Sequence, residues 1–230
     1  MNRRPYRRRI AASCALLLCT VAACSHSASR ASRSTQRSTS SRAPVVLLLG
    51  DSNLALSLTF VDVDFMIRKP QVAAVVNAVP GFGACDIGAA DGHSRYDYWP
   101  TRIRLLLQSV KPDAVVVQLG ANDLRDPTCV AQYGSAIDRL VGAVPQNIPV
   151  AWCNVRLDYP YRPELARTIN DALAAATSRH HNLRILDFNT HFIHHPEWFA
   201  SQGQNVHLNS AGQEEYAAWL TQSALAMVPG

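Results

Sequence analysis

The sequence predicts an α/β fold: a doubly wound, flavodoxin-like, mostly parallel sheet of five strands with helices on both faces. Three observations predict it. Short apolar runs alternate with stretches of helical periodicity through residues 44–230. The runs are apolar at successive positions rather than at every second one, as in strands buried on both faces. Polar, glycine-bearing motifs follow the runs, at the strand ends where ligands bind in open α/β sheets.

The first strand is 45–49, Val-Val-Leu-Leu-Leu. It is too short for a membrane helix. Gly50 then permits a sharp turn, and residues 53–58 can continue as a helix. The second strand is 71–77, rich in β-branched residues. Residues 78–98 form a long irregular stretch carrying Gly81, Gly83, Gly88 and Gly92, and long loops in compact domains are often functional. Pro100 suits the first turn of a helix whose apolar face is Ile103, Leu106, Leu107 and Val110. Lys111-Pro112-Asp113 ends that helix before the third strand, 114–119. An amphipathic helix over 131–144 buries Ile137, Leu140 and Val141. The fourth strand is 148–155, a helix covers 164–179, the fifth strand is 183–188, and a closing helix covers 211–227.

The chain has 230 residues and a formal charge of +5. That charge does not indicate a nucleic-acid partner. Residues 1–42 hold nine arginines and no acid, so the chain from Ala43 onward carries −4. Arg3 to Arg9 form a basic stretch and residues 10–23 a short apolar one ending in small residues, the layout of a secretory signal. Val21-Ala22-Ala23-Cys24 resembles the bacterial lipoprotein box. The resemblance implies cleavage before Cys24, lipidation of its thiol, and anchoring to the extracytoplasmic face of the cell membrane; full secretion is the alternative. The expected organisation is a signal peptide over 1–23, a Ser/Arg-rich tether over 24–43, and one domain over 44–230. The tether has no aliphatic residue larger than alanine and cannot bury a core.

Cys85, Cys129 and Cys153 remain in the domain. No Cys/His spacing suits a metal, so no metal site is expected. Cys85 and Cys129 lie in loops on the expected catalytic rim and are expected to pair as a disulfide, with Cys153 buried and free. No nucleotide or other cofactor is implied, because no phosphate-cradling glycine fingerprint occurs.

Four motifs carry the chemistry. They are Gly50-Asp51-Ser52, the stretch from Asn77 to Gly83, Gly120-Ala121-Asn122-Asp123, and Asn205-Val206-His207-Leu208-Asn209. Ser52 alone reads as a helix cap. Together, in this order and on one face of the sheet, the motifs resemble the SGNH (GDSL-type) hydrolase superfamily from about residue 45 to the C-terminus. The resemblance implies that Ser52 is the nucleophile and His207 the general base. It implies an oxyanion hole of the Ser52 N–H, Gly81 and Asn122, with Gly83 a second candidate for the glycine position. These types suit the reaction: a hydroxyl needs a base, and the tetrahedral oxygen needs fixed donors. Asp51 and Asp123 are expected to bond local turn N–H groups. His191, His194 and His195 are expected at the surface or in loops, and Tyr98 and Trp99 in the core rather than against a sugar.

The chain departs from the family's Asp-x-x-His block, because the residue three before His207 is Gln204. Glutamine can accept a bond from the ring but carries no charge to stabilise imidazolium. Three explanations stand: Gln204 or a backbone carbonyl orients a Ser-His dyad, which is the favoured one; an acid such as Asp187 or Glu197 comes in from elsewhere; or the protein is catalytically feeble. The expected function is an envelope serine esterase acting on short-acyl or O-acetyl esters of a glycan or lipid through an acyl-Ser52 intermediate. The alternatives are an acyltransferase using the same site and a non-catalytic glycan- or lipid-binding lipoprotein.

Overall fold

The computed structural model describes residues 42–85, 98–158, 162–201 and 206–228. The leader, the tether, Cys24 and Gln204 lie outside the described residues. The chain runs β1 (Val45–Gly50), α1 (Ser52–Leu56), α2 (Leu58–Arg68), β2 (Ala73–Ala78), α3 (Tyr98–Val110) and β3 (Ala114–Gln118). It continues through α4 (Pro127–Ala131), α5 (Tyr133–Gly142), β4 (Val150–Cys153), α6 (Pro163–Thr177), β5 (Leu183–Leu186), α7 (Phe188–Phe192) and α8 (Ser210–Leu225). The strands form one five-stranded sheet in the order β2-β1-β3-β4-β5. All four pairings are parallel, so the sheet is wholly rather than mostly parallel.

The apolar runs are explained by two cores, one on each face. Leu47, Leu49, Val115, Val117, Val150 and Trp152 point into the core shared with α3, α5 and α6. Val46, Leu48, Val116, Ala151 and Cys153 point the other way, into the core shared with α2 and α8. Because successive side chains face opposite sides, every position of β1 from Val46 to Leu49 has an apolar neighbour, and all four are fully buried.

Several boundaries shift from the sequence expectation, each for a local reason. The helix after Ser52 breaks at Ser57, whose hydroxyl bonds back to the Asn53 carbonyl at 2.8 Å, and resumes as α2. The segment before α5 is itself helical: Asp126 caps α4 by accepting from Thr128 N–H at 2.7 Å, and Pro127 fills the first position. The fifth strand stops at Leu186 because Asp187 caps α7 through the Thr190 N–H at 3.0 Å. The second strand starts two residues late, since Val72 N–H closes a turn onto Lys69. Among the described residues no helix is long and apolar enough to cross a membrane.

Candidate active site

Ser52 is the first residue of α1, directly beyond the carboxyl end of β1, and Asp51 rather than Ser52 is the cap. The Asp51 carboxylate accepts the Asn53 N–H at 2.9 Å. That leaves the Ser52 hydroxyl free of capping duty and its N–H among the first-turn donors without an intrahelical partner. Ser52 Oγ lies 2.9 Å from His207 Nε2, across 155 positions of sequence. For the ring to accept the hydroxyl proton, Nε2 must be bare and Nδ1 must hold the hydrogen.

His207 sits on the loop that ends at Asn209, the cap of α8. That loop is held by an antiparallel bridge between Phe199 and Leu208 and by the Ala200 N–H, which donates to the His207 carbonyl at 2.9 Å. From the other side the Asn53 side chain reaches Val206 and Leu208.

The side of the site expected to hold the oxyanion is built by the loops after β2 and β3. Val79 N–H donates to the Gly50 carbonyl at 2.8 Å, laying the 79–85 loop beside Ser52. Asn122 Nδ2 donates to the Phe82 carbonyl at 3.0 Å and makes a longer contact, 3.5 Å, with Asp51 Oδ2. Arg125 clamps the two halves together, donating to the Gly81 carbonyl at 3.0 Å and to Asn122 Oδ1 at 2.9 Å.

The structure separates the two candidate glycines. Gly81 has φ +80° and open space where a side chain would stand; its N–H donates to no described residue. Gly83 instead lets the chain press on Asp123, whose Oδ1 would lie 2.1 Å from an added Cβ. Gly81 therefore suits an oxyanion donor and Gly83 suits close packing.

Asp123 does not serve a local turn. It is fully buried and accepts from the Ala84 N–H at 2.7 Å and the Cys85 N–H at 3.0 Å, nearly 40 positions away. Cys85 is joined to Cys129, with Cα atoms 5.9 Å apart. Asp123, Cys85 and Cys129 are also the one group of three close metal-ligand atoms among the described residues, but sulfurs joined to each other offer no thiolate. Burial pushes the Asp51 carboxyl up to about 7, opposed by the Asn53 N–H and reinforced by the Asp123 charge. Burial likewise pushes Asp123 up to about 6, opposed by the Cys85 and Ala84 N–H groups. Cys153 is buried and free, and burial raises its thiol far above the ordinary range.

The acids considered as partners of His207 are engaged elsewhere. Asp187 Oδ1 takes the Asn154 amide at 2.9 Å and the Thr190 N–H, and Glu197 takes His195 at 2.7 Å. His191 bonds Glu215 at 3.1 Å and stacks on Trp219, against the α8 side. Trp99 is fully buried and donates to the Gly83 carbonyl at 2.9 Å, so it anchors the 79–85 loop from the core. Asn53, Arg125 and Arg156 were not singled out from the sequence. Asn53 carried a signal, a polar residue next to Ser52 on a helix that must face the core; Arg125 and Arg156 carried none.

The profile of the GDSL-like lipase/acylhydrolase family matches residues 48–215. No curated protein matches. Among solved structures, that of TesA has a TM-score of 0.63 at 17% identity, covering 80% of this chain and 99% of the other. The C-terminal catalytic domain of Streptococcus pneumoniae peptidoglycan O-acetyltransferase A scores 0.55 at 20% identity, covering 81% and 94%. A carbohydrate esterase family 3 protein from Talaromyces cellulolyticus scores 0.56 at 17% identity, covering 80% and 97%. At these identities the likeness is one of fold.

Proposed function

Because the chain belongs to the GDSL-like lipase/acylhydrolase family, we propose that it is a serine esterase that removes short acyl groups from an acylated glycan or lipid of the cell envelope. The observation that carries this reading is the 2.9 Å contact between Ser52 Oγ and His207 Nε2 at the carboxyl end of the sheet.

Ser52 Oγ attacks the ester carbonyl carbon while His207 Nε2 takes its proton. The carbonyl oxygen becomes an oxyanion received by the N–H groups of Ser52 and Gly81 and by Asn122 Nδ2, whose second hydrogen leaves its long 3.5 Å contact with Asp51 to do so. The intermediate collapses, the C–O bond to the alcohol breaks, and His207 returns the proton to the leaving oxygen. Water, activated by the same ring, then attacks the acyl-Ser52 ester and releases the acid.

Among the described residues, a small, partly open space of about 10 Å³ is bounded by Asn53, Leu119, Ala121, Val155, Arg156 and Val206; Asn53 and Val206 adjoin Ser52 and His207 in sequence. Arg156 is buried, ion-paired with Asp158, and lies 3.6 Å over the Phe199 ring. A space of that order holds about one water molecule. The leader and Cys24 support export and lipid anchoring, which mass spectrometry of the mature N-terminus tests directly.

The deciding experiment is labelling with a fluorophosphonate probe, followed by hydrolysis of p-nitrophenyl acetate and octanoate. Wild type is expected to label and Ser52→Ala not to, with acetate the faster substrate. No labelling of wild type overturns the esterase reading in favour of a binding protein. Product carrying the acyl group on an added glycan alcohol, in preference to free acid, identifies a transferase.

A further inference from the structure

We infer that Asn53 is the positioning residue of the general base, holding His207 through the peptide groups on either side of it. This rests on reading Ser52 and His207 as the catalytic pair.

Asn53 follows the nucleophile in α1 and is 3% exposed. Its Nδ2 donates to the Val206 carbonyl at 3.1 Å, and its Oδ1 accepts the Leu208 N–H at 3.2 Å. The two bonds flank His207 as a neighbouring strand's peptide groups would. The Ala200 N–H holds the His207 carbonyl at 2.9 Å, so three successive residues of the loop are pinned. The other end of the link is equally fixed, since the Asn53 N–H is held by the buried Asp51 carboxylate at 2.9 Å.

The position calls for this side chain. Only a carboxamide offers a donor and an acceptor on one short planar group. Leucine has similar bulk and offers neither. Aspartate keeps the acceptor but at neutral pH has no hydrogen for the Val206 carbonyl. Asn53 therefore references the base directly to the nucleophile's own helix. A carboxylate in the family's usual place acts on the imidazole, whereas Asn53 acts on the backbone that carries it. The two devices are independent, and this one does not involve position 204.

Placement at this accuracy matters to rate, since a displacement of about 1 Å in a reacting group costs on the order of 10²-fold. The test uses the full chain with active serines titrated to completion by a fluorophosphonate, so that kcat is expressed per working site. Asn53→Leu is expected to lower kcat per titrated serine roughly 10- to 100-fold, with KM within about twofold. Asn53→Asp, which keeps the Leu208 bond, should fall between it and wild type. A purely structural role would lower the melting temperature and the titratable fraction but leave kcat per site unchanged; that result overturns the inference. If Asn53→Leu does not fold, Asn53→Asp carries the same test with volume conserved. Wild type that labels, with unaltered kcat in the variants, overturns this inference alone. Wild type that does not label overturns the catalytic reading and this one with it.

Discussion

The buried carboxylate of Asp123 receives the backbone N–H of Ala84 at 2.7 Å. It thereby joins the loop after β3, which carries Asn122, to the loop after β2, which carries Gly81. The two loops that carry the proposed oxyanion donors are thus one assembly built from two strand ends.

Asp123→Ala should loosen that assembly. Two buried N–H groups, of Ala84 and Cys85, lose their acceptor, and each unsatisfied group costs about 1–3 kcal/mol. Asp123→Asn keeps one acceptor and should lose less. The expected outcome is a lower melting temperature and a lower kcat with KM little changed, measured by thermal denaturation and ester hydrolysis. Equal activity in both variants and wild type would show that the two loops hold their places without the link.

The two glycines should respond differently to alanine. At Gly83 the new methyl collides with the Asp123 carboxylate, and overpacking of this kind costs about 1–3 kcal/mol. Gly83→Ala should chiefly destabilise. At Gly81 there is space but φ is +80°, where an L residue is strained by roughly 1–2 kcal/mol. Relief of that strain would turn the N–H away from the cleft, so Gly81→Ala should lose kcat beyond its loss of stability. Denaturation and kinetics on the same preparations separate the two. A Gly81→Ala enzyme with full kcat would remove that N–H from the oxyanion hole.

The bridge from Cys85 to Cys129 closes a loop of sequence separation 44. In the chain-entropy account a loop of this length contributes about 4 kcal/mol. The Cys85→Ala, Cys129→Ala double variant should melt roughly 10 °C lower. Cys153, buried in the wild type, should resist thiol reagents in both proteins until unfolding. Rapid labelling of Cys153 in the folded variant would mean that the bridge also closes the core.

The parallel sheet, and the place of Ser52 at the end of its first strand, were legible because they are written locally. Buried strands show as unbroken apolar runs, and Gly50-Asp51-Ser52 stands directly after the first. The helix caps were less legible: Asp126 and Asp187 move element ends by several residues through single side-chain bonds. What joins distant positions was not legible at all. Nothing in the sequence says that Asp123 reaches Ala84 and Cys85, that Arg125 spans Gly81 and Asn122, or that Asn53 reaches the residues flanking His207. Each link depends on how two loops approach in space, which local pattern does not encode.

Asp51 should make the fold sensitive to pH. Burial raises its carboxyl from 3.8 to about 7. Between those values the native chain holds a proton that the unfolded chain has lost, so stability falls as pH rises through this window. The contribution is fully present below about pH 4 and gone once the folded carboxyl has ionised, above about pH 7. Asp51→Asn keeps an acceptor for the Asn53 N–H, and asparagine caps helices as well as aspartate does, but it cannot ionise. The variant should therefore gain on wild type as pH rises from 5 to 8, by up to about 3 kcal/mol, because only the part of the window from pH 5 to about 7 lies in that range, at 1.36 kcal/mol per unit. Asp123, raised to about 6 by the same burial, leaves a shallower slope in the variant. Denaturant unfolding of both proteins across that range measures the difference. Parallel stability curves would show that Asp51 reaches water more readily than its burial implies.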